Sequence, residues 1–489
     1  MNLNRLLHFI ETDNGNNYIF NGNDGELYKI GKKAYLLLFS TYDELLTSDQ
    51  NFSTSYFHDK VANLVPGIDL SILDEIFFTD DEPPVLKNEL DNDIYFKKSQ
   101  LQFSGFFIFP TYKCNLNCAY CTYSGIYPKE RHHEPISISS ELINDVTYYI
   151  RKASSECEKV NIVFYGDEPL MNFQGVRLMI KTLEAYEGKK YSFQIVTNGL
   201  LLNKYIVDFF ANKRIKMQIS LDGPPHIHNR YRRTPDGRAT HQLVIEKLEL
   251  IRDMDLDYYN NCIGLSCTLA PPFHIDEVDQ YFRKNSLFSN FSGHKGNFSI
   301  SIMNMEGTDF YSEADKITFR KQMQPFKEAY IEYLLTGEKE KTQFIPSAMY
   351  EAPFYAFAKK CINKDDKWSH SGECIPGING AAIGADGKLF VCNTFNRDPI
   401  GSVQNGIERE KVRFLRQAYL EVRNSVCRNC WLYRFCPVCI AAFKYAEHGQ
   451  NFTEILDCTY TKAMAEDLLK MYILTTSQAP QGLIEFLSR

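Results

Sequence analysis

Cys114, Cys118 and Cys121, a C-x3-C-x2-C spacing within eight residues, constrain this chain more than any other feature of it. They follow an apolar run, residues 105–110 (GFFIFP), that reads as a buried strand. Three thiolates on one short loop do not make a structural zinc site, which takes four protein ligands. They suit a four-iron cube, which also takes four ligands and is left here with one open iron. An open iron can chelate a small molecule and pass it an electron. The chain has 14 cysteines, and seven more fall in its last quarter: Cys374, Cys392, Cys427, Cys430, Cys436, Cys439 and Cys458. Clustered spacing of this kind points to metal or cluster ligation in a reducing compartment rather than to disulfides. Cys157, Cys262 and Cys267 sit in helix or strand patterns and read as core residues.

The 489 residues divide into three regions by pattern. Residues 1–95 hold no cysteine, and apolar runs on either side of an Asn-Asp-Gly break within 17–39 predict a β-hairpin leading into a helix. This is the mark of a small α+β module, followed by a polar linker. Residues 100–335 alternate strand-like and helix-like segments. The candidate strands are 105–110, 161–166, 193–198, 216–221, 264–269 and 298–303, with helical patterns such as 139–153 and 241–254 between them. Short apolar strands separated by helices predict an α/β region with a parallel sheet, and six such units predict a partial (β/α)6 TIM barrel with ligands at the C-terminal strand ends. Residues 340–489 lose this rhythm. They are loop-rich and cysteine-rich, end in a helix after Cys458, and would need ligation to hold their shape.

Three short segments stand at the ends of successive candidate strands: FYGDEP at 164–169, TNG at 197–199 and SLDG at 220–223. Each alone is an ordinary turn composition, but their order along the strands is not. In the last region, Cys374 is followed by Gly387 and Cys392, then by Cys427-x2-Cys430-x5-Cys436-x2-Cys439, and finally by Cys458. On spacing alone, paired C-x2-C steps are a zinc signature. The net charge of −7 supplies no basic excess for nucleic acid. No run of 18 apolar residues marks a membrane span, and the first residues lack a signal-peptide pattern, so a cytoplasmic location is expected.

With Tyr120 before the last cysteine, the first cluster and the three strand-end segments resemble the radical S-adenosylmethionine (SAM) superfamily. That resemblance implies a partial TIM barrel in which Cys114, Cys118 and Cys121 hold a [4Fe–4S] cluster whose open iron binds SAM. Reductive cleavage of SAM then yields a 5′-deoxyadenosyl radical. It further implies SAM contacts from Gly166, Asp167, Glu168 and Pro169, from Thr197 and Asn198, from Ser220 and Asp222, and from Arg230, which would pair with the SAM carboxylate. Asp167 departs from the pattern, where a second Gly is usual, and this touches the local backbone because Gly reaches φ > 0 more readily.

The second cysteine set resembles the SPASM extension of peptide-modifying radical SAM enzymes, which reverses the zinc preference and implies two auxiliary [4Fe–4S] clusters, for three in all. The resemblance assigns Cys374, Cys392 and Cys439 to one and Cys427, Cys430, Cys436 and Cys458 to the other. A cysteine usual between Cys374 and Cys392 is missing, so either Cys361 supplies the fourth ligand, or that iron is open, or Cys361 is a plain buried thiol. In sulfatase maturases an Asp base follows the second SPASM cysteine. Asn393 stands there in this chain, so that activity is set aside. The first region resembles the winged-helix-like element that binds a leader peptide by adding a strand to its sheet edge.

The expectation is therefore a maturase that installs thioether links from cysteine sulfur to Cα, Cβ or Cγ in a ribosomally made Cys-rich peptide, as in sactipeptide and ranthipeptide systems. The implied partners are a precursor peptide and a reductant such as flavodoxin or ferredoxin, with neither nucleic acid nor membrane. The alternatives are carbon–carbon cross-linking or epimerisation, and a non-catalytic zinc scaffold that holds peptides. No general base stands out, and residues 129–134 read as a solvated loop.

Overall fold

The computed structural model describes residues 2–47, 54–64, 69–80, 82–127, 131–303, 312–363, 374–394, 398–444, 454–455 and 458–488. The chain divides into two compact units, each built from distant stretches of sequence: Glu89–Ala352 with Ile375–Leu415, and Met1–Asn88 with Pro353–Cys374 and Arg416–Arg489.

The larger unit holds the parallel sheet. Its strands are β1 (Gly105–Ile108), β2 (Lys159–Phe164), β3 (Lys190–Thr197), β4 (Lys216–Ser220), β5 (Ile263–Leu269) and β6 (Phe298–Ile302), paired in that order and all parallel. Helices Ser140–Ala153, Phe173–Glu184, Lys204–Asn212, His241–Met254 and Ile275–Lys284 connect successive strands. The local reasons are plain in the first of them. The Ser139 hydroxyl accepts from Leu142 N at 3.2 Å, and Ile143, Val146 and Ile150, at helical spacing, are all buried. Ile162, Phe164, Ile195 and Ile219 on the strands have no exposed surface, as befits a sheet covered by helices.

The sheet does not end with these strands. Gly380–Ile383 (β7) pairs parallel with β1, and Lys388–Phe390 (β8), Gly401–Ser402 (β9) and Gly406–Ile407 (β10) continue antiparallel, giving ten strands. The Gly-rich turn between β7 and β8 lies against the first cysteine loop, where the Tyr112 hydroxyl donates to Asp386 at 3.2 Å.

The smaller unit carries the expected hairpin and one strand more. Leu7–Glu11, Asn17–Asn21 and Leu27–Ile30 form a three-stranded antiparallel sheet, followed by helices Lys32–Thr47, Thr54–Leu64 and Leu70–Phe77. Ile19, Leu38, Phe57, Val61 and Phe77 are among its core. The module shares that unit with the cysteine-rich run. Phe20, wholly buried, meets the rings of Phe357, Trp431 and Phe435, and His8 stacks on Trp431 with ring centres 4.0 Å apart. Among the described residues no helix is long and apolar enough to cross a membrane.

Candidate active site

The cysteine loop leaves β1 and is pinned at both ends of its reach. Glu168 N donates to Lys113 O at 3.1 Å, and Asn117 N donates to Arg233 O at 2.8 Å. The Leu116 and Tyr123 amides lie 3.4 Å from the Cys114 and Cys121 sulfurs. The three thiols stand close enough to act on one another: burial foremost, then Glu168 and the other two thiols, push the Cys114 pKa up. Cys118 is pushed up to about 11 by burial, while the charge of the Arg232 guanidinium pulls the other way. Cys114 and Cys118, so raised, would give up their protons on ligation to a cationic centre.

The strand-end segments meet this loop. Gly166 has φ +109°, and a Cβ there would stand 2.2 Å from the Phe109 ring, so only glycine fits. Glu168 is wholly buried. Its carboxylate accepts from Leu170 N at 3.0 Å, the Thr197 hydroxyl at 2.7 Å and Asn198 N at 2.8 Å, which ties the end of β2 to the end of β3. Burial outweighs these donors and raises its pKa to about 7. Pro169 is buried at the start of the 3-10 turn Pro169–Asn172 that Glu168 caps. The Asn198 amide donates to Asn115 Oδ1 at 2.8 Å, joining the end of β3 to the cysteine loop.

Ser220 closes β4 half-buried. The Asp222 carboxylate is taken up within the protein: it accepts from Arg232 Nε at 2.8 Å, Thr268 N at 2.9 Å and the Tyr120 hydroxyl. Burial opposes its ionisation, yet Arg232 beside it holds the pKa below the usual carboxylate range. Arg230 donates to Pro272 O at 3.0 Å. Arg232, two residues on, is the one that buries its guanidinium on Asp222 beside the cysteine loop.

Asp167 keeps φ outside the left-handed region, so the position needs no glycine. Its carboxylate has no exposed surface and accepts from Arg131 Nη2 at 2.5 Å and from His133 Nδ1. The Arg131 guanidinium lies 4.0 Å from the Tyr112 ring centre and 3.9 Å from that of Tyr123. Burial works against protonation of His133, but Asp167 and the Cys121 thiol raise its pKa to about 9. The stretch 129–134, read from sequence as a solvated loop, is corrected at Arg131 and His133, which are built into the cysteine site; His132 and Glu134 are exposed, and Lys129 and Glu130 lie outside the described residues. The signal was Asp167 itself, since a carboxylate in place of a glycine beside a buried loop requires a counter-charge.

In the second set, Cys427 feels the charges of Cys430 and Cys458, and Cys436 those of Cys427 and Cys430, so these four come together in the smaller unit. Cys439 and Cys374 belong to that unit as well, and Cys392 follows β8 in the larger one. Asn393 hydrogen-bonds the Tyr165 hydroxyl at the end of β2. Cys361 is buried. Burial raises its pKa far up, and the charged group acting on it is Arg434 rather than a cysteine.

Residues 108–280 match the radical SAM superfamily. This chain carries a radical SAM domain. The superfamily uses a [4Fe–4S] cluster and SAM, and the thiol loop fits that group: it offers three sulfur donors, with backbone amides aimed at two of them. Among the described residues no three His, Cys, Asp or Glu side chains converge on a single ion. The thiolates of a cube bind separate irons. The chain is 25% identical over 283 residues to the radical SAM cyclopropyl synthase TigE of Paramaledivibacter caminithermalis, covering 52% of this chain and 56% of that one. It is 21% identical over 343 residues to the cysteine-type anaerobic sulfatase-maturating enzyme of Clostridium perfringens strain ATCC 13124, covering 66% and 84%. The matches span about half the length of the first curated relatives, 50% and 56%. Native anSMEcpe with bound AdoMet shares the fold, with a TM-score of 0.53 and 17% identity over 79% of this chain and 99% of that one.

Proposed function

We propose that this protein matures a ribosomally made Cys-rich peptide by joining cysteine sulfur to an acceptor carbon, Cα, Cβ or Cγ, with loss of two hydrogens per link. The observation that carries this reading is the joining, in one chain, of a radical SAM site to a second thiol set, Cys427, Cys430, Cys436 and Cys458, packed in the same unit as a small three-stranded sheet. When bound, the cluster and SAM would supply the radical chemistry that removes one hydrogen atom from the acceptor; the remaining electron would pass to an auxiliary cluster held by the second thiol set, and the cysteine thiol would lose its proton as the sulfur–carbon bond forms. The chain's own residues hold and orient them: Cys114, Cys118 and Cys121 as ligands, Gly166 through Pro169 with Thr197 and Asn198 as the SAM-side wall, and Arg232 beside Cys118. The sheet Leu7–Glu11, Asn17–Asn21, Leu27–Ile30 offers an edge to an extended leader. A sulfatase-maturase structure of the same fold with a bound peptide, Cp18Cys, supports a peptide substrate.

The likeness to TigE, a cyclopropyl synthase, favours a second reading in which the new bond is carbon–carbon. One experiment separates them. The enzyme is expressed anaerobically with a short Cys-rich reading frame adjacent to its gene, and the peptide is weighed after thiol alkylation. Loss of two hydrogens per link, with matching cysteines protected from alkylation, establishes the thioether. The same loss with every cysteine alkylated overturns it in favour of carbon–carbon bonding. An unchanged peptide mass beside active SAM cleavage rejects that peptide as the substrate.

A further inference from the structure

A basic segment backs the cysteine loop. Residues 224–240 (PPHIHNRYRRTPDGRAT) carry four arginines and one acid, in a chain whose net charge is −7. The backbone of this segment is bound to the loop on either side of Cys118: Asn117 N donates to Arg233 O at 2.8 Å, and Ala119 N to Tyr231 O at 3.3 Å. Asn117 and Ala119 are exposed, so the loop reaches the surface here. Arg232 turns inward onto Asp222. Arg230 and Arg233, with Pro225, His226, Asn229 and Ala239, line an open depression of about 590 Å³ that has no carboxylate in its wall. Their charges are met by carbonyl oxygens and not by acids. Arg230 Nη1 donates to Pro272 O at 3.0 Å and Arg233 Nη1 to Gly237 O at 2.8 Å, and neither is in an ion pair among the described residues. The acids at the rim are already engaged: Glu277 lies 3.0 Å from His226 and 3.1 Å from His274, and Asp236 lies 2.8 Å from Arg238.

We propose that this face docks an acidic protein that carries one electron to the cluster held by Cys114, Cys118 and Cys121. The inference rests on the radical SAM site and not on which bond the enzyme forms in its peptide. Before SAM can be cleaved, the cluster must take an electron from outside the chain. In that transfer the carrier is oxidised by one electron and the cluster reduced by one, with no bond made or broken. A carrier seated over Arg230 and Arg233 is separated from Cys118 by one hydrogen bond, Arg233 O to Asn117 N, and one peptide link. An acidic carrier is repelled by the net charge of the chain as a whole, so a local positive face decides where it lands. Such a face raises association rates by about 10–1,000-fold, an effect that fades with ionic strength.

The test uses the reconstituted full-length enzyme and a flavodoxin of net negative charge. Two quantities are measured. One is the dissociation constant for oxidised flavodoxin, by fluorescence. The other is 5′-deoxyadenosine formation driven either by reduced flavodoxin or by dithionite, a small reductant that needs no docking face. Wild type is compared with the double variant Arg233→Glu/Arg238→Glu, with Arg233→Gln, and with Lys190→Glu at the start of β3, the far end of the sheet. Arg233 gives the cysteine loop only its backbone oxygen, which these substitutions keep. For the double variant, binding and flavodoxin-driven cleavage are expected to weaken at least about tenfold at low salt, with dithionite-driven cleavage unchanged. Arg233→Gln should fall between, and Lys190→Glu should match wild type. The wild-type advantage should close as salt rises from about 0.01 M to about 1 M and the screening length falls from about 30 Å to about 3 Å. Unchanged flavodoxin binding in the double variant overturns the proposal. Equal loss with both reductants overturns it as well, because a disturbed cysteine loop then explains the loss. So does normal flavodoxin binding beside weakened binding of the Cys-rich peptide, which makes the face a peptide site. Iron-loaded wild type that cleaves no SAM with either reductant fails the underlying site reading instead.

Discussion

His228 shows how one buried side chain couples the site to its scaffold. It has no exposed surface, Asp222 N donates to its Nδ1 at 3.2 Å, and its Nε2 faces the Thr240 hydroxyl at 3.1 Å, so the ring proton is assigned to Nε2. Burial lowers its pKa to about 3. The unfolded chain therefore binds a proton between about pH 6.5 and 3 that the folded chain does not. Stability is expected to fall as pH drops through that window, and the slope of urea-unfolding free energy against pH should shrink in His228→Gln. A slope that stays the same would assign the acid sensitivity elsewhere. Glu168 gives a second case. Glu168→Gln turns one acceptor oxygen into a donor facing either Asn198 N or the pair Leu170 N and Thr197, leaving buried donors opposed. A loss of about 1–3 kcal/mol is expected in thermal or denaturant unfolding.

The barrel strands were legible because each is a short apolar run bounded by turn residues, and a period of two against 3.6 is written into local sequence. Their C-terminal ends then had to carry the site. Gly166 marks how tightly these ends pack. Gly166→Ala combines a left-handed backbone with a Cβ 2.2 Å from Phe109, whereas Gly188→Ala, at φ +94°, meets nothing within 4 Å. The first change should cost clearly more than the second, which carries only the backbone penalty of about 1–2 kcal/mol. Equal melting temperatures for the two would mean that Phe109 moves aside. Strands β7 to β10 escaped the pattern because they are two to four residues long. At that length periodicity carries almost no information, and only pairing, of β7 with β1 and of each later strand with the one before it, makes them strands.

Across the whole chain, the N-terminal module and the cysteine-rich run share one apolar unit. Phe20 sits among Phe357, Trp431 and Phe435, so Phe20→Ala is expected to destabilise by about 3–5 kcal/mol. Removal of residues 1–95 should uncover the Trp431 and Phe435 rings and reduce the iron retained by Cys427, Cys430, Cys436 and Cys458 on reconstitution. Full iron retention by the shortened chain would show the two parts to be independent.

Sequence alone determined the class of chemistry, because cluster ligation needs particular atoms at particular spacings and Cys114, Cys118 and Cys121 supply them within one loop. It also determined the run of parallel strands, since their signals are local. The tertiary structure alone decided that Asp167 is held by Arg131 and His133, that Arg232 rather than Arg230 lies buried beside the cysteines, and that β7 extends the sheet from β1 some 270 residues away in sequence. These are pairings between groups whose sequence separation carries no periodic signal. Burial and charge balance select them only once the chain has closed on itself.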